Sequence, residues 1–275
     1  IIDSKIEESY SVYEGNKPLE YTDRILFESY ILNIIPIDLF EFFLFDGEEV
    51  GTIFASDGNR TFSFYRNPSA DMLFSAEQVK AEWFADAYAL HFCSVSLGDF
   101  PMKEAHRKAI ACARESGAMI SFDPNLRFPL WKDKQALHST VNEFIPMADI
   151  VKISDEELEF ITGETEISAA LPKLFAGNVK LVIYTCGAEG AYAFTKNAQA
   201  HAASERVKAI DTTGAGDGFI GSFLYALKTL GVTADSISNL SVEQLERCIA
   251  FSNKFCGESV QHEGAIDSYR KIAFE

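Results

Sequence analysis

Asp211-Thr-Thr-Gly-Ala-Gly-Asp-Gly-Phe219 is the stretch from which the fold of this chain can be read. Three glycines and an alanine surround the carboxylate of Asp217. The preceding Val207-Lys-Ala-Ile210 predicts a short strand, and apolar side chains recur at helical spacing over 219–230. The order is therefore a strand, a glycine-rich turn and a helix, with Asp217 in the first turn of that helix.

This turn has the features of an anion site. The first N–H groups of a helix have no intrahelical partner and carry partial positive charge, which suits a phosphate group. The same field keeps a carboxylate ionised, as a general base requires. We therefore expect Asp217 to take a proton from a substrate hydroxyl while the amides of Gly214–Gly216 hold a phosphoryl group. The stretch is neither a Walker P-loop nor GxGxxG, because Phe219 occupies the third glycine position.

The composition predicts a soluble, globular protein with one large domain, or one domain and a small appendage. The chain has 275 residues, of which 47% are hydrophobic and 24% charged. Its formal net charge is −17 and it has no basic run, which argues against nucleic acid and membrane surfaces as partners. ATP remains compatible with this charge, because amides, a magnesium ion and one or two cations can meet its phosphates locally.

Cysteine usage indicates a reducing, cytosolic setting. The five cysteines are odd in number, form no CxxC pair and stand in apolar segments. The sequence has no run of eighteen apolar residues, so no transmembrane helix is expected. The chain begins Ile-Ile-Asp, without a methionine or a signal-peptide pattern, and we expect its natural start to be missing.

The hydrophobic pattern is irregular at the N-terminus and becomes regular further along the chain. Residues 1–48 show no clean period, whereas Val50–Ser56 and Arg60–Tyr65 flank Asp57-Gly58 and predict a β-hairpin. Beyond it, Ser75 is expected to cap a helix that runs to about residue 85. Further helices are predicted at 102–116, 132–144, 155–162 and 168–175, and strands at 87–93, 118–122, 150–153, 181–185, 191–195 and 206–210.

Alternating strands and helices imply an α/β fold with a doubly wound, mostly parallel sheet and helices on both faces. Ligands of such folds bind at the carboxyl ends of the strands. The polar loops that follow the predicted strands should therefore share one rim of the sheet.

Three further loops at this rim could carry chemistry. Asp123-Pro-Asn-Leu-Arg127 offers a carboxylate, an amide and a guanidinium that matches phosphate oxygens, or it is an ordinary turn with a surface arginine. In Lys152-Ile-Ser-Asp-Glu-Glu157, Glu157 either helps to hold a hydrated magnesium ion or completes a capping box with Ser154. Thr185-Cys-Gly-Ala-Glu-Gly190 either lets a nucleotide approach the backbone or forms a tight turn into the next strand.

Together these motifs closely resemble the ribokinase-like (PfkB) carbohydrate kinase family. The 211–219 stretch resembles the C-terminal signature of that family, and the resemblance covers roughly residues 50–270. The supporting motifs come in the family's order: the 50–65 hairpin, 122–127, 152–158, 185–190, and a late helix with Asn253 before Gly264-Ala-Ile266. Asn67-Pro-Ser-Ala-Asp71 and 123–127 look most like the bacterial fructokinase and 2-keto-3-deoxygluconate kinase branch.

The resemblance implies a ribokinase-like fold with a small β lid, and a role for each motif. Asp217 would be the base that deprotonates the sugar hydroxyl. The anion hole for the transferred phosphoryl group would be formed by the amides of Ala215, Gly216 and Asp217.

The same resemblance implies the ligand contacts. ATP would be flanked by Thr185, Gly187, Gly190 and Asn253, with Arg127 on a phosphate or on the substrate. Glu157 would stand at the Mg²⁺ region, and the carbonyls of Asp211 and Thr213 would contribute to a monovalent-cation (K⁺) site. The sugar would meet Asp217, Asn125, Arg127 and Asp3.

Two features depart from the family pattern. Ser154 replaces the asparagine of its Asn-x-x-Glu segment, and the N-terminal Gly-Gly-x-x-x-Asn sugar signature is absent, although Asp3 could match the sugar-binding aspartate of the first strand. We therefore divide the chain into three parts. They are a poorly readable N-terminal part of the core or lid (1–48), a lid hairpin (49–66) and an α/β kinase core with the nucleotide and catalytic site (67–275).

The sequence thus predicts a cytoplasmic, ATP- and Mg²⁺-dependent kinase that acts on a primary hydroxyl of a small sugar. Fructose is the leading substrate, followed by 2-keto-3-deoxygluconate and then by ribose or a nucleoside. By analogy with the family, a homodimer through the lid is expected. Two other classes stay open: a catalytically silent sugar- or nucleotide-binding relative, and a Rossmann dehydrogenase, which would need GxGxxG with an acidic residue about twenty positions later.

Overall fold

The structure is a computed structural model. It describes residues 68–266 and 268–274, together with the backbone of four short strands nearer the N-terminus. These are β1 (Tyr13–Glu14), β2 (Lys17–Pro18), β3 (Val50–Phe54) and β4 (Arg60–Phe64). β3 and β4 pair antiparallel, which confirms the predicted hairpin. The rest of 1–48, including Asp3, lies outside the described residues.

A six-stranded sheet forms the centre of the fold, with the strand order β10-β9-β8-β7-β6-β5. The strands from β5 to β8 run parallel, and β9 and β10 are antiparallel to their neighbours. The carboxyl ends of the four parallel strands therefore share one edge, which we call the strand-end rim. The bounds are β5 Ala89–Cys93, β6 Met119–Asp123, β7 Ile150–Ser154, β8 Leu181–Thr185, β9 Ala191–Phe194 and β10 Gln199–Ala202.

Helices cover both faces of this sheet, as the sequence predicts. Successive strand residues point to opposite faces, so Ile120 and Phe122 pack into one core while Met119 packs into the other with Phe223. Helices α2 to α5 contribute to the first core, and α6 and α7 to the second. The bounds are α1 Ala70–Leu73, α2 Met102–Glu115, α3 Lys134–Phe144, α4 Asp155–Thr162, α5 Ile167–Leu174, α6 Ala215–Thr229 and α7 Val242–Ser259.

The strand predicted at 206–210 is wrong. Val207 and Ile210 are 37% and 59% exposed, and the Ile210 N–H donates to the Val260 carbonyl at the end of α7 across 2.7 Å. Because a helix end takes this donor, the segment joins no sheet. The last strand is instead β10, which the sequence pattern did not reveal.

The helix predicted from Ser75 is also wrong. The segment forms two 3₁₀ turns, Ala76–Gln78 and Ala81–Phe84, with an extended backbone at Val79 and Lys80 between them. Its buried side chains, those of Phe74, Val79 and Phe84, recur every five residues, a spacing that one α-helical face cannot satisfy.

Two expectations about cysteines and membranes can be compared with the described residues. All five cysteines are unpaired thiols, in agreement with the sequence pattern. Within 68–266 and 268–274, none of the helices is both long and apolar enough to cross a membrane.

Candidate active site

The glycine-rich turn and the first turn of α6 form the centre of the candidate site. Gly214 is the N-cap of α6 and has a φ of 76°, a left-handed conformation that glycine adopts without strain. Asp217 stands in the first turn of the helix, where the sequence predicts it. The helix forms here because Phe219 and Phe223 bury its apolar face against the sheet.

The C-terminal end of the chain holds this turn in place. The Tyr269 hydroxyl donates to the Gly214 carbonyl across 2.8 Å, and the Gly264 amide donates to Asp211 Oδ2 across 2.9 Å. The other carboxylate oxygen of Asp211 accepts from the Thr213 amide across 2.6 Å. The Asp211 side chain thus closes the turn, because both of its oxygens accept backbone amides.

The loop after β6 meets the glycine turn through a buried ion pair. Asp123 is the last residue of β6, and its Oδ2 accepts from Lys152 Nζ across 2.5 Å. The two side chains are only 2% and 7% exposed. A Cβ atom on Gly216 would stand 3.2 Å from the Lys152 nitrogen. The lack of a side chain at Gly216 therefore lets the ammonium lie directly against the turn.

Carboxylates surround this ammonium. Burial alone would lower the pKa of Lys152, but the charges of Asp123, Glu157 and Asp217 raise it overall. Lys152 in turn acts on His91 of β5, whose pKa is lowered to about 4 by burial and then by the charge of Lys152. The imidazole is therefore neutral, and Lys152 is charged.

Glu157 ties the loop after β6 to the start of α4. One of its oxygens accepts from the Ser154 amide across 2.9 Å and completes a capping box, so the capping interpretation is confirmed. The other oxygen accepts from the Leu126 amide across 2.8 Å. Burial first, and then the charge of Asp123, raises the pKa of Glu157.

The donor set fits an ion that keeps its water shell. Across the described part of the chain, no cluster of three or more acidic, histidine or cysteine side chains could hold a metal ion directly. Mg²⁺ needs only one or two protein carboxylates, because waters and nucleotide phosphates complete its octahedron. Glu157, held by two amides at the edge of a cavity, is suited to such an indirect contact.

A cavity of about 260 Å³ opens between the loop after β6 and the start of α4, beside Lys152 and Glu157. The Asn125 amide donates to Asp123 Oδ1 across 3.2 Å, and the left-handed backbone of Asn125, with φ 44°, turns the loop at this edge. Arg127 lines the same cavity and donates to the Leu126 carbonyl of its own loop across 3.1 Å. The cavity is lined by residues 125–128, Lys152, Ser154, Glu156 and Glu157.

The loop after β8 is shaped by a close backbone approach. Thr185 ends β8, and a 3₁₀ turn over Gly187–Glu189 follows. Gly190 has a φ of 100°, and a Cβ there would stand 2.2 Å from the Ala202 carbonyl oxygen. The Asn253 side chain of α7 donates to that same oxygen across 2.7 Å. The structure therefore brings Gly190 and Asn253 together, although the sequence separates them widely.

Comparison with known proteins decides the family. Residues 48–272 match the model of the pfkB family of carbohydrate kinases. The chain belongs to this carbohydrate kinase family. The family membership leaves the dehydrogenase alternative without support, because the kinase model spans the whole region that carries the motifs.

Relatives of this chain include a probable fructokinase-2 of Arabidopsis thaliana, 39% identical over 213 residues, or 77% of this chain. The chain spans 63% of the length of that relative, which is less than two thirds. A fructokinase of Xylella fastidiosa with bound ATP superposes with a TM-score of 0.74 at 30% identity, covering 80% of this chain and 70% of that one. A fructokinase of Vibrio cholerae with fructose, ADP and a calcium ion superposes with a TM-score of 0.69 at 32% identity, covering 79% and 68%.

Sequence reasoning missed two residues of this candidate site. Lys152 belongs to a recognised motif that assigns it no role, although a charged residue inside the apolar run 150–153 is a readable signal. Tyr269 offered no signal, since nothing in the sequence shows that its hydroxyl reaches Gly214.

Proposed function

We propose that this chain carries the catalytic and nucleotide-binding part of an ATP-dependent fructose kinase, which transfers the γ-phosphoryl group to a primary hydroxyl of the sugar. The observation that carries the proposal is the position of Asp217. It stands in the first turn of α6, behind the left-handed Gly214, and its charge acts on the buried Lys152 ammonium. A base and an anion site thus meet at the strand-end rim.

In this proposal Asp217 accepts the proton of the attacking hydroxyl. The backbone amides of the turn and of the first helical turn stabilise the phosphoryl group as charge shifts during in-line transfer. The Ala215 amide also donates to the Thr212 carbonyl across 3.2 Å, so it belongs to the frame of the turn as well. The residues assigned to this anion hole are Gly214, Ala215, Gly216 and Asp217.

The cavity at the loop after β6, which Lys152 also lines, would take the phosphates of the nucleotide. Its volume is below the ~300–1,000 Å³ of sites for whole small molecules, so it suits a phosphate group or part of a sugar. Arg127 supplies a planar fork of donors for such a group, and Asn125 stands beside it. When bound, Mg²⁺ would neutralise phosphate charge, with Glu157 meeting its waters.

The remaining assignments also stay proposals. Thr185, Gly187 and Gly190 would flank the nucleotide, and Asn253 would support this flank by fixing the Ala202 carbonyl. The carbonyls of Asp211 and Thr213 would contribute to a monovalent-cation site.

Fructose is proposed because the relatives and the structural neighbours named above are fructokinases. 2-Keto-3-deoxygluconate, ribose and nucleosides are not favoured by those comparisons. The sugar-binding half is assigned to the N-terminal part, with Asp3 and the hairpin lid at 49–66, ahead of the core at 67–275. A cytoplasmic location and a homodimer through the lid complete the proposal.

The proposal is tested by a coupled assay of ADP release by the purified chain with ATP, MgCl₂ and one sugar at a time. Fructose, 2-keto-3-deoxygluconate and ribose form the panel, and the product is identified by its phosphate position. The expected result is turnover with fructose well above the sugar-free rate. ATP binding without turnover on any sugar would support the catalytically silent relative instead.

A further inference from the structure

The ion pair between Lys152 and Asp123 joins two loops that both face the proposed phosphoryl site. Asp123 ends β6 and begins the loop that carries Asn125 and Arg127. Lys152 lies on β7, and its nitrogen would be 3.2 Å from a Cβ on Gly216. The ammonium therefore touches the phosphate-facing loop on one side and the glycine turn on the other.

A purely structural role does not account for this pair. A buried ion pair usually contributes no more stability than well-packed apolar residues of the same size. The surrounding charges are also unbalanced, because the carboxylates of Glu157 and Asp217 act on the same ammonium as that of Asp123. This excess of negative charge adds repulsion among the carboxylates, which a pair retained for stability alone does not require.

We propose that Lys152 is a positioning residue of the transfer site, which holds the 123–127 loop and the Gly214–Gly216 turn at the spacing that the terminal phosphate of ATP requires. This inference rests on the proposed function and adds a residue to it. Lys152 acts through Asp123 and through the turn. It presents a fixed cation beneath the phosphoryl group, and no water has to reorganise around that cation during transfer.

The proposed role of Lys152 predicts an effect on nucleotides that carry the terminal phosphate and not on those that lack it. ADP lacks the group that would lie between the loop and the turn, whereas a non-hydrolysable ATP analogue such as AMP-PNP carries it. Loss of Lys152 should weaken AMP-PNP binding and leave ADP binding nearly unchanged. It should also lower kcat for fructose more than it raises the KM for fructose, because a displaced phosphate misaligns the reaction.

Three variants separate this role from fold stability. Lys152→Met leaves the Asp123 charge buried and unpaired, so we expect it to be destabilised. Asp123→Asn combined with Lys152→Met removes both charges and is expected to recover stability. Lys180→Met is the matched control, because Lys180 pairs with the buried Asp149 across 3.3 Å outside the site. The variants are compared by urea denaturation, by calorimetric binding of AMP-PNP and ADP with Mg²⁺, and by fructose kinetics.

The expected result is a double variant of near wild-type stability whose AMP-PNP affinity and kcat both fall by about tenfold or more, while its ADP affinity and the Lys180→Met control stay normal. A stable double variant with normal AMP-PNP affinity and kcat would show that the pair is only structural. The calorimetric measurements need no sugar. If the wild type did not turn over fructose, the proposed function would be wrong, and the binding of AMP-PNP and ADP would still test this inference. A wild type that does not prefer AMP-PNP to ADP would overturn it.

Discussion

Two buried aspartates at opposite ends of the central strands make the same kind of ion pair in different surroundings. Asp149 precedes β7 and is fully buried, and it pairs with Arg114 and Lys180, each across 3.3 Å. These two cations are 37% and 30% exposed. Asp123, at the strand-end rim, pairs with a lysine that is itself buried.

The end at Asp149 is tied to the backbone, and its one carboxylate is shared by two cations. Its second oxygen accepts from the Ile120 amide across 2.9 Å, and its own amide donates back to the Ile120 carbonyl across 2.8 Å. Its carbonyl accepts the amides of Lys180 and Leu181. Asp149 thereby joins the beginnings of three strands, β6, β7 and β8, and its cations keep contact with water.

The strand-end rim shows the opposite arrangement. Its carboxylates lie close enough to act on one another and on a single buried ammonium, and a cavity adjoins them. The comparison teaches that burial of an ion pair does not by itself reveal its role. Burial of the cation, an excess of carboxylates around it and an adjoining cavity distinguish the pair that we assign to ligand binding from the pair that holds the sheet together.

The largest effect is expected at the strand-end rim, from Asp217→Asn. The amide keeps the shape of the carboxylate but cannot accept the substrate proton, so kcat should fall by about 10²–10⁴-fold. ATP binding and the urea midpoint should stay near wild type. The coupled assay measures kcat, calorimetry measures ATP binding, and urea denaturation gives the midpoint. A variant with near-normal kcat would show that Asp217 is not the base. It would also weaken the contrast between the strand-end rim and the Asp149 end of the strands.

At the other end, Asp149→Ala should reduce stability and not rate. The substitution leaves the buried Ile120 amide without its acceptor and separates two cations from their partner, which should lower the free energy of unfolding by about 3 kcal/mol. Urea denaturation measures this loss, and initial rates at low temperature should show an unchanged kcat in the folded protein. A large fall in kcat at unchanged stability would contradict the comparison.

Arg127→Ala sharpens the assignment of the cavity. Its guanidinium bonds to a carbonyl of its own loop, so stability should change little, whereas loss of a charged fork should raise the KM for ATP by about tenfold. Arg107→Ala serves as the control, since Arg107 pairs with Glu104 and Glu143 on the helical surface. Unchanged kinetics in Arg127→Ala would show that this side chain does not contribute to ATP binding at the strand-end rim.

The smallest effect is expected from Tyr269→Phe. Burial first, and then the charge of Asp217, raises the pKa of the Tyr269 hydroxyl, which therefore stays a donor to the Gly214 carbonyl. Loss of one such bond, worth about 1 kcal/mol, should loosen the turn and lower kcat by about threefold to tenfold. Tyr225→Phe is the matched control, since Tyr225 is 53% exposed on α6. Equal kinetics of the two variants would show that the turn does not depend on the C-terminal end.

Much of the candidate site could be predicted because its signals are local. The start of α6 follows from glycines next to an apolar helical period, and the capping box of α4 follows from Ser154 and Glu157, three residues apart. The strand predicted for the segment before the turn is wrong, because its apolar residues give no sign that the end of α7 accepts the Ile210 amide.

The sequence by itself determined the alternation of strands and helices, the parallel strand-end rim and the place of Asp217 in the first turn of α6. These depend on periods and backbone preferences within a few consecutive residues. The tertiary structure alone decided that Lys152 meets Asp123, 29 residues away, and lies against Gly216. It also decided that Asn253 reaches the Ala202 carbonyl beside Gly190. Such contacts arise from the order of strands in the sheet and from helix packing on its faces, which no local pattern encodes.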